Sequence, residues 1–146
     1  MAKRILVALD RVPEVDDVIP LVRDVARGGG ATVRLLHVAP VPEHVVDREG
    51  HVIAYADQEG GRLEAEALDF LRTVEMQLEA VAVDCTVRFG GPADEIVAEA
   101  QAFGAELIVL VSPRRRCLSR LLLGSTSEEV CRRTEIGVMI YRPSSQ

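Results

Sequence analysis

The chain has 146 residues, of which 48% are hydrophobic and 27% charged, and a formal net charge of −6. That length fits one compact domain, which buries about two thirds of its unfolded surface and needs no metal or disulfide staple. An acidic balance with 3% aromatics and no Trp excludes a sequence-independent nucleic-acid binder, which needs local positive charge and rings for stacking. Cys85, Cys117 and Cys131 are odd in number and lack CxxC or metal spacing, as expected in a reducing compartment. No long apolar stretch with a small-residue cleavage site follows Met1, and the longest aliphatic run, LIVLV at 107–111, is too short to cross a bilayer. A cytoplasmic protein without membrane insertion is expected.

Residues 5–9 (ILVAL) form a continuous apolar run, the pattern of a strand buried on both faces. Asp10 follows at its carboxyl end. Between residues 14 and 27, Val15, Val18, Ile19, Val22, Val25 and Ala26 fall at helical spacing. The triplet Gly28-Gly29-Gly30 stops that helix, and residues 32–38 (TVRLLHV) read as the second strand. Residues 39–60, with Pro40, Pro42 and scattered charges, are the least regular part and read as a loop near a functional face. A helix is predicted over residues 61–81, with Leu63, Ala67, Phe70, Leu71, Val74, Leu78 and Val81 on one stripe. Residues 83–89 give a third strand, and Pro92 starts a helix that ends at Gly104. Residues 106–111 give a fourth strand, a short helix opens at Ser125 and runs to Arg133, and residues 137–142 give a fifth. Ser125 with Glu128, and Thr126 with Glu129, read as overlapping capping boxes. The order βαβαβαβαβ predicts a parallel sheet with right-handed crossovers, covered on both faces. One domain over residues 1–143 and a frayed tail at 144–146 are expected.

In such a sheet, ligands bind outside the carboxyl ends of the strands. That rule selects Asp10, Val38–Ala39, Gly90–Gly91, the loop over 112–123 and Gly124-Ser125. It rejects Gly28–Gly30, which lie on the opposite rim. Asp10 is either a solvated turn or cap residue or a ligand contact. Ser125 either satisfies the helix donors itself or leaves them to a phosphate oxygen. Arg114, Arg115, Arg116 and Arg120 form a basic island in an acidic chain, read either as solvated surface or as an anion clamp with the amides of Gly124–Thr126. The same arginines could instead pair with Glu43 or Asp47. His44, Asp47 and His51 lack a helical i,i+4 pair, so no metal site is expected there. His37, within a strand, reads as a packed core residue. Cys117, beside three arginines, is a thiol whose pKa positive charge would lower. No GxSxG elbow or complete GxxxxGK[ST] loop is present. A response regulator would place an aspartate after the third strand, where this chain has Arg88-Phe89-Gly90.

Six segments in order, RILVALD at 4–10, LLHV at 35–38, GGPADEIV at 90–97, GAELIVL at 104–110, LSRLLLGSTSEEV at 118–130 and GVMIYRP at 137–143, resemble the universal stress proteins over nearly the whole chain. The resemblance implies a single Rossmann-like domain of the adenine nucleotide alpha hydrolase type, with a five-stranded parallel sheet in the order 3-2-1-4-5, usually dimeric. Relatives that bind ATP carry G-x2-G-x9-G-[ST] after the fourth strand. Counting back from Gly124-Ser125 places Val111 and Arg114 at the first two glycines. Asp10 and Val38 match positions that hold the adenosine half. The chain thus resembles the subgroup lacking the full ATP motif, because a bulky Val or Arg crowds the approach of backbone to phosphate.

Two functional readings follow. One is a non-catalytic, dimeric stress-type regulator acting through an unknown protein partner, with no certain cofactor. The other is an ATP- or AMP-binding module with slow ATP hydrolysis, using Asp10, Val38, Arg114, Gly124, Ser125 and Thr126. In either case Val138, Met139, Ile140 and Tyr141, apolar on both faces of an edge strand, are expected to form the dimer interface.

Overall fold

A computed structural model describes residues 3–112 and 125–142 of the chain. A five-stranded parallel sheet is built from β1 (Arg4–Ala8), β2 (Thr32–Ala39), β5 (Ala82–Phe89), β6 (Leu107–Val111) and β7 (Gly137–Tyr141). Its spatial order is β5-β2-β1-β6-β7. Counted within the sheet alone, that is 3-2-1-4-5, as the resemblance implied. The remaining strands, β3 (Val45–Val46) and β4 (Val52–Ala54), pair antiparallel as a separate hairpin.

Alternation along the strands sorts the core into two layers. Ile5, Val7, Val33, Leu35 and Val109 face α1 (Val15–Gly29) and α2 (Ala56–Glu75), where Val18, Ile19, Val22, Leu71 and Val74 meet them. Leu6, Leu36, Ile108 and Leu110 face α3 (Pro92–Phe103) and α4 (Ser125–Arg133), against Ile96, Ala100, Phe103 and Val130. Burial on both faces explains why β1 and β6 read as unbroken aliphatic runs. Helices α1 and α3 end on Gly30 and Gly104, at φ 62° and 71°. This left-handed conformation is open to glycine without a Cβ clash.

Two elements depart from the sequence reading. The region 39–60 is not an irregular loop throughout, because it carries the β3–β4 hairpin. Helix α2 starts five residues before Gly61 and ends six before Val81. Its early start combines a local cap with contacts from the preceding segment. His44 Nδ1 accepts from the Ala56 amide at 2.9 Å, and Gln58 Oε1 accepts from that of Tyr55 at 3.1 Å. Pro42 packs on Gly60 so closely that a Cβ there would stand 3.1 Å from its ring. Beyond Glu75 the chain turns, and Arg23 and Arg27 of α1 donate to the carbonyls of Gln77 and Glu79. Leu78 is buried all the same, so its place on the apolar stripe reports burial and not helix.

Candidate functional site: a cleft at the carboxyl ends of the strands

The parallel strands all end on one rim, and the crossover helices α3 and α4 begin there. Between them lies a cleft of about 770 Å³, counting the part open to solvent. It is lined by Asp10 and Val12 after β1, Val38 of β2, Pro92 and Ile96 of α3, Val111 and Ser112 of β6, and Ser125, Thr126 and Ser127 of α4. The structure therefore brings Asp10, Val38, Ser125 and Thr126 together on one wall system, although 115 residues separate the first from Ser125. Gly28 and Gly29 lie on the opposite rim with Lys3 and Glu106, as the strand-to-helix rule requires.

Asp10 projects into the mouth with its side chain 79% exposed. Behind it, the largely buried ring of His37 directs Nδ1 at the Leu9 carbonyl, 2.8 Å away, and stands 3.7 Å from Asp10 Oδ1. A carbonyl only accepts, so His37 carries its proton on Nδ1 and clips the end of β1 to β2. The ring meets Phe70 edge-on, with centroids 6.2 Å apart. His37 is thus a core residue, as its sequence suggested, but one that backs the candidate site.

The floor is apolar: Leu36 and Leu110 are fully buried, and Val38 and Val12 are half-buried. Opposite Asp10, Ser125 opens α4 as its first helical residue. Ser125 and Thr126 thus lie in the first turn and not at the flanking cap position assumed for the two capping boxes. Ser127 and Ser112 are buried, and the Ser112 amide donates to the Tyr141 carbonyl at 2.8 Å. Ser112 opens the loop over 112–123 that the strand-end rule selects, whereas Ser127, Pro92 and Ile96 were not singled out as site residues from sequence. Only the crossing of α3 and α4 over the sheet puts them there.

Helix α3 is held in register by charge. Glu99, 6% exposed at its side chain, accepts from Arg34 Nη1 at 2.9 Å and from Arg88 Nε at 2.7 Å. Arg34 also pairs with Asp84 at 2.8 Å, and Arg88 with Glu95 at 3.2 Å. Hydrogen bonds to Asp84 and Glu99 raise the pKa of Arg34, and those to Glu99 and Glu95 raise that of Arg88, against the opposing effect of burial. Arg34 also lies over the Phe103 ring at 4.2 Å. Arg133 of α4 pairs with Asp94 of α3, so the two helices that wall the cleft are tied to each other as well.

At the hairpin tip, Asp47, Glu49 and His51 bring ligand atoms within 4.8 Å of one another, all exposed. His44 does not join them; its ring stacks edge-on against Tyr55 at 5.6 Å. The trio His44, Asp47 and His51 weighed from sequence is therefore not assembled. Arg114, Arg115, Arg116, Arg120, Cys117 and Gly124 lie outside the described residues, and with them the expected arginine clamp.

The profile of the universal stress protein family matches residues 1–142. This chain belongs to that family. Solved structures agree on the fold. A hypothetical protein whose biochemical function was assigned from its structure is 23% identical, with a TM-score of 0.79 over 100% of this chain and 99% of that one. A universal stress protein in complex with cAMP is 17% identical, with a TM-score of 0.69 over 97% of each chain. A third, from Archaeoglobus fulgidus in complex with dAMP, is 19% identical, with a TM-score of 0.61 over 94% and 96%. No curated protein matches the sequence.

Proposed function

We propose that this universal stress protein is a non-catalytic regulator that takes up an adenosine ligand with a short phosphate and acts through the contacts of a cytoplasmic homodimer. The observation that carries the reading is the gathering of Asp10, Val38, Ser125 and Thr126 around one cleft. A carboxylate at the mouth accepts a hydrogen bond from a ribose hydroxyl. The aliphatic floor suits the face of a base, and the first turn of α4 offers hydroxyls and amides to a phosphate. The cAMP and dAMP bound by two neighbours support a ligand of this class.

A triphosphate suits this chain less well. Val111 ends β6, half-buried and paired with Tyr141, at the place of the first glycine of the ATP-binding pattern. A side chain at that place crowds the close backbone approach that a glycine gives to phosphates. A regulator that binds without turnover therefore agrees better with these residues than an ATPase does.

The test is to heat-denature the purified protein and assay the released nucleotide, then to titrate AMP, cAMP and ATP by calorimetry. AMP or cAMP should bind at least tenfold more tightly than ATP. Tight ATP binding with release of inorganic phosphate would replace this reading with the ATPase.

A further inference from the structure

Single exposed apolar side chains are ordinary, but a contiguous exposed apolar patch marks an interaction site. Among the described residues nine are exposed, and six of them fall within 41–55: Val41, Val45, Val46, Val52, Ile53 and Tyr55. They belong to or flank the β3–β4 hairpin. Val46 is 54% exposed and Ile53 66%, so the hairpin shows apolar side chains to water from both of its strands.

This hairpin is not a loose loop that happens to be greasy. Its base is fastened to α2 by the His44–Ala56 and Gln58–Tyr55 hydrogen bonds, by the His44–Tyr55 ring contact and by the close seat of Pro42 on Gly60. At its tip, Asp47 Oδ1 accepts from the amides of Glu49 and His51, each at 2.9 Å. Both ends are built, and the apolar stretch between them is presented. Two strands alone make a marginal sheet, and no third strand pairs with either among the described residues. Their outer edges keep backbone donors and acceptors available for one more strand.

Charge says what kind of strand. Around the hairpin, Glu59 is neutralised by Arg62, which leaves four acids (Glu43, Asp47, Glu49 and Asp57) against one base, Arg48, over residues 40–58. That sign repels an anionic membrane surface and a second copy of the same hairpin, and it attracts a basic chain. We propose that the β3–β4 hairpin is a docking edge for an extended polypeptide that alternates basic and apolar residues and adds to it as a third strand. Backbone bonds would supply affinity, the exposed valines and Ile53 would seat the apolar residues, and the acids would select the sign. This gives the protein-contact part of the proposed function a surface; its test uses no nucleotide, so failure here leaves the cleft reading standing.

The experiment follows amide shifts of the full chain by NMR while adding an eight-residue peptide of alternating Lys and Val. Shifts should centre on Val45, Val46, Val52 and Ile53, and a Glu–Val peptide of equal length should bind at least fivefold more weakly. Val46→Glu with Ile53→Glu should abolish the shifts. Glu43→Lys with Asp57→Lys, which leaves the apolar strands intact, should weaken binding severalfold, so a folding defect in the first variant cannot hide the result. Equal binding of both peptides, or shifts elsewhere, overturns the proposal. So does self-association that Ile53→Glu removes, or capture by neutral phosphatidylcholine vesicles.

Discussion

Asp10 and Cys85 show how far one side chain's surroundings set its chemistry. Asp10 stands at the cleft mouth with its carboxylate largely in water, free to accept from a ligand and contributing little to the core. Asp10→Ala should therefore leave the thermal midpoint within about 2 °C, since exposed substitutions cost little, while AMP affinity falls at least tenfold by calorimetry. Unchanged affinity would remove Asp10 from the site. Cys85 is the opposite case. Burial, with smaller contributions from Glu75 and Asp84, pushes its thiol up to about 11, because the thiolate is the form that desolvation penalises. At pH 8 it is protonated and poorly nucleophilic. In a Cys117→Ser background, iodoacetamide at pH 8 should label the exposed Cys131 well before Cys85. Labelling of Cys85 should accelerate only as the pH approaches 11; equal rates at pH 8 would contradict the burial argument.

At the scale of elements, α3 is the wall of the cleft most dependent on electrostatics. Both oxygens of Glu99 are committed, one to Arg34 and one to Arg88. Glu99→Ala removes both bonds, although Arg34 keeps Asp84 and Arg88 keeps Glu95. The arginines are 26% and 29% exposed, so water recovers part of the loss. The expected cost is about 1–3 kcal/mol, below the 3–5 of a fully buried pair. Urea denaturation measures it, and a loss under about 0.5 kcal/mol would mean that packing alone holds the helix. The ends of α1 and α3 rest on backbone conformation instead. Gly30→Ala and Gly104→Ala, each forced to a left-handed φ, should each cost about 1 kcal/mol in the same assay.

For the whole molecule, the two open edges of the sheet differ in character. Strand β5 carries Asp84 and Arg88, charges that discourage edge-to-edge pairing. Strand β7 offers Val138, Met139, Ile140 and Tyr141, all half-buried in the single chain. A homodimer through β7 would pair that edge and cover those side chains. Met139→Lys should then turn a sedimenting dimer into a monomer at micromolar concentration; a monomer before the substitution excludes the interface. A second whole-molecule prediction concerns the ligand. Val111→Gly with Arg114→Gly restores both glycines of the ATP pattern and should raise ATP affinity at least severalfold relative to AMP, by calorimetry. No change would place the obstacle to ATP elsewhere.

What the sequence determined by itself was the sheet and its wrapping. Runs such as ILVAL and LIVLV have to be buried on both faces, and helical stripes between them leave only a covered parallel sheet. Asp10 and Ser125 were legible as site candidates for the same reason, since a parallel sheet puts every strand end and the next helix start on one rim. The hairpin at 45–54 was not legible, because its strands are two and three residues long, too short to show a period. Nor was the true start of α2, which depends in part on Pro42 and His44 reaching it from the preceding segment. Glu99, one acid among several on its helix, gained its role only when β2 and β5 brought Arg34 and Arg88 beneath it. Periodicity reports which face of an element is buried. Which distant charge, ring or hydroxyl lies across from it is decided by how the elements cross, and that belongs to the tertiary structure alone.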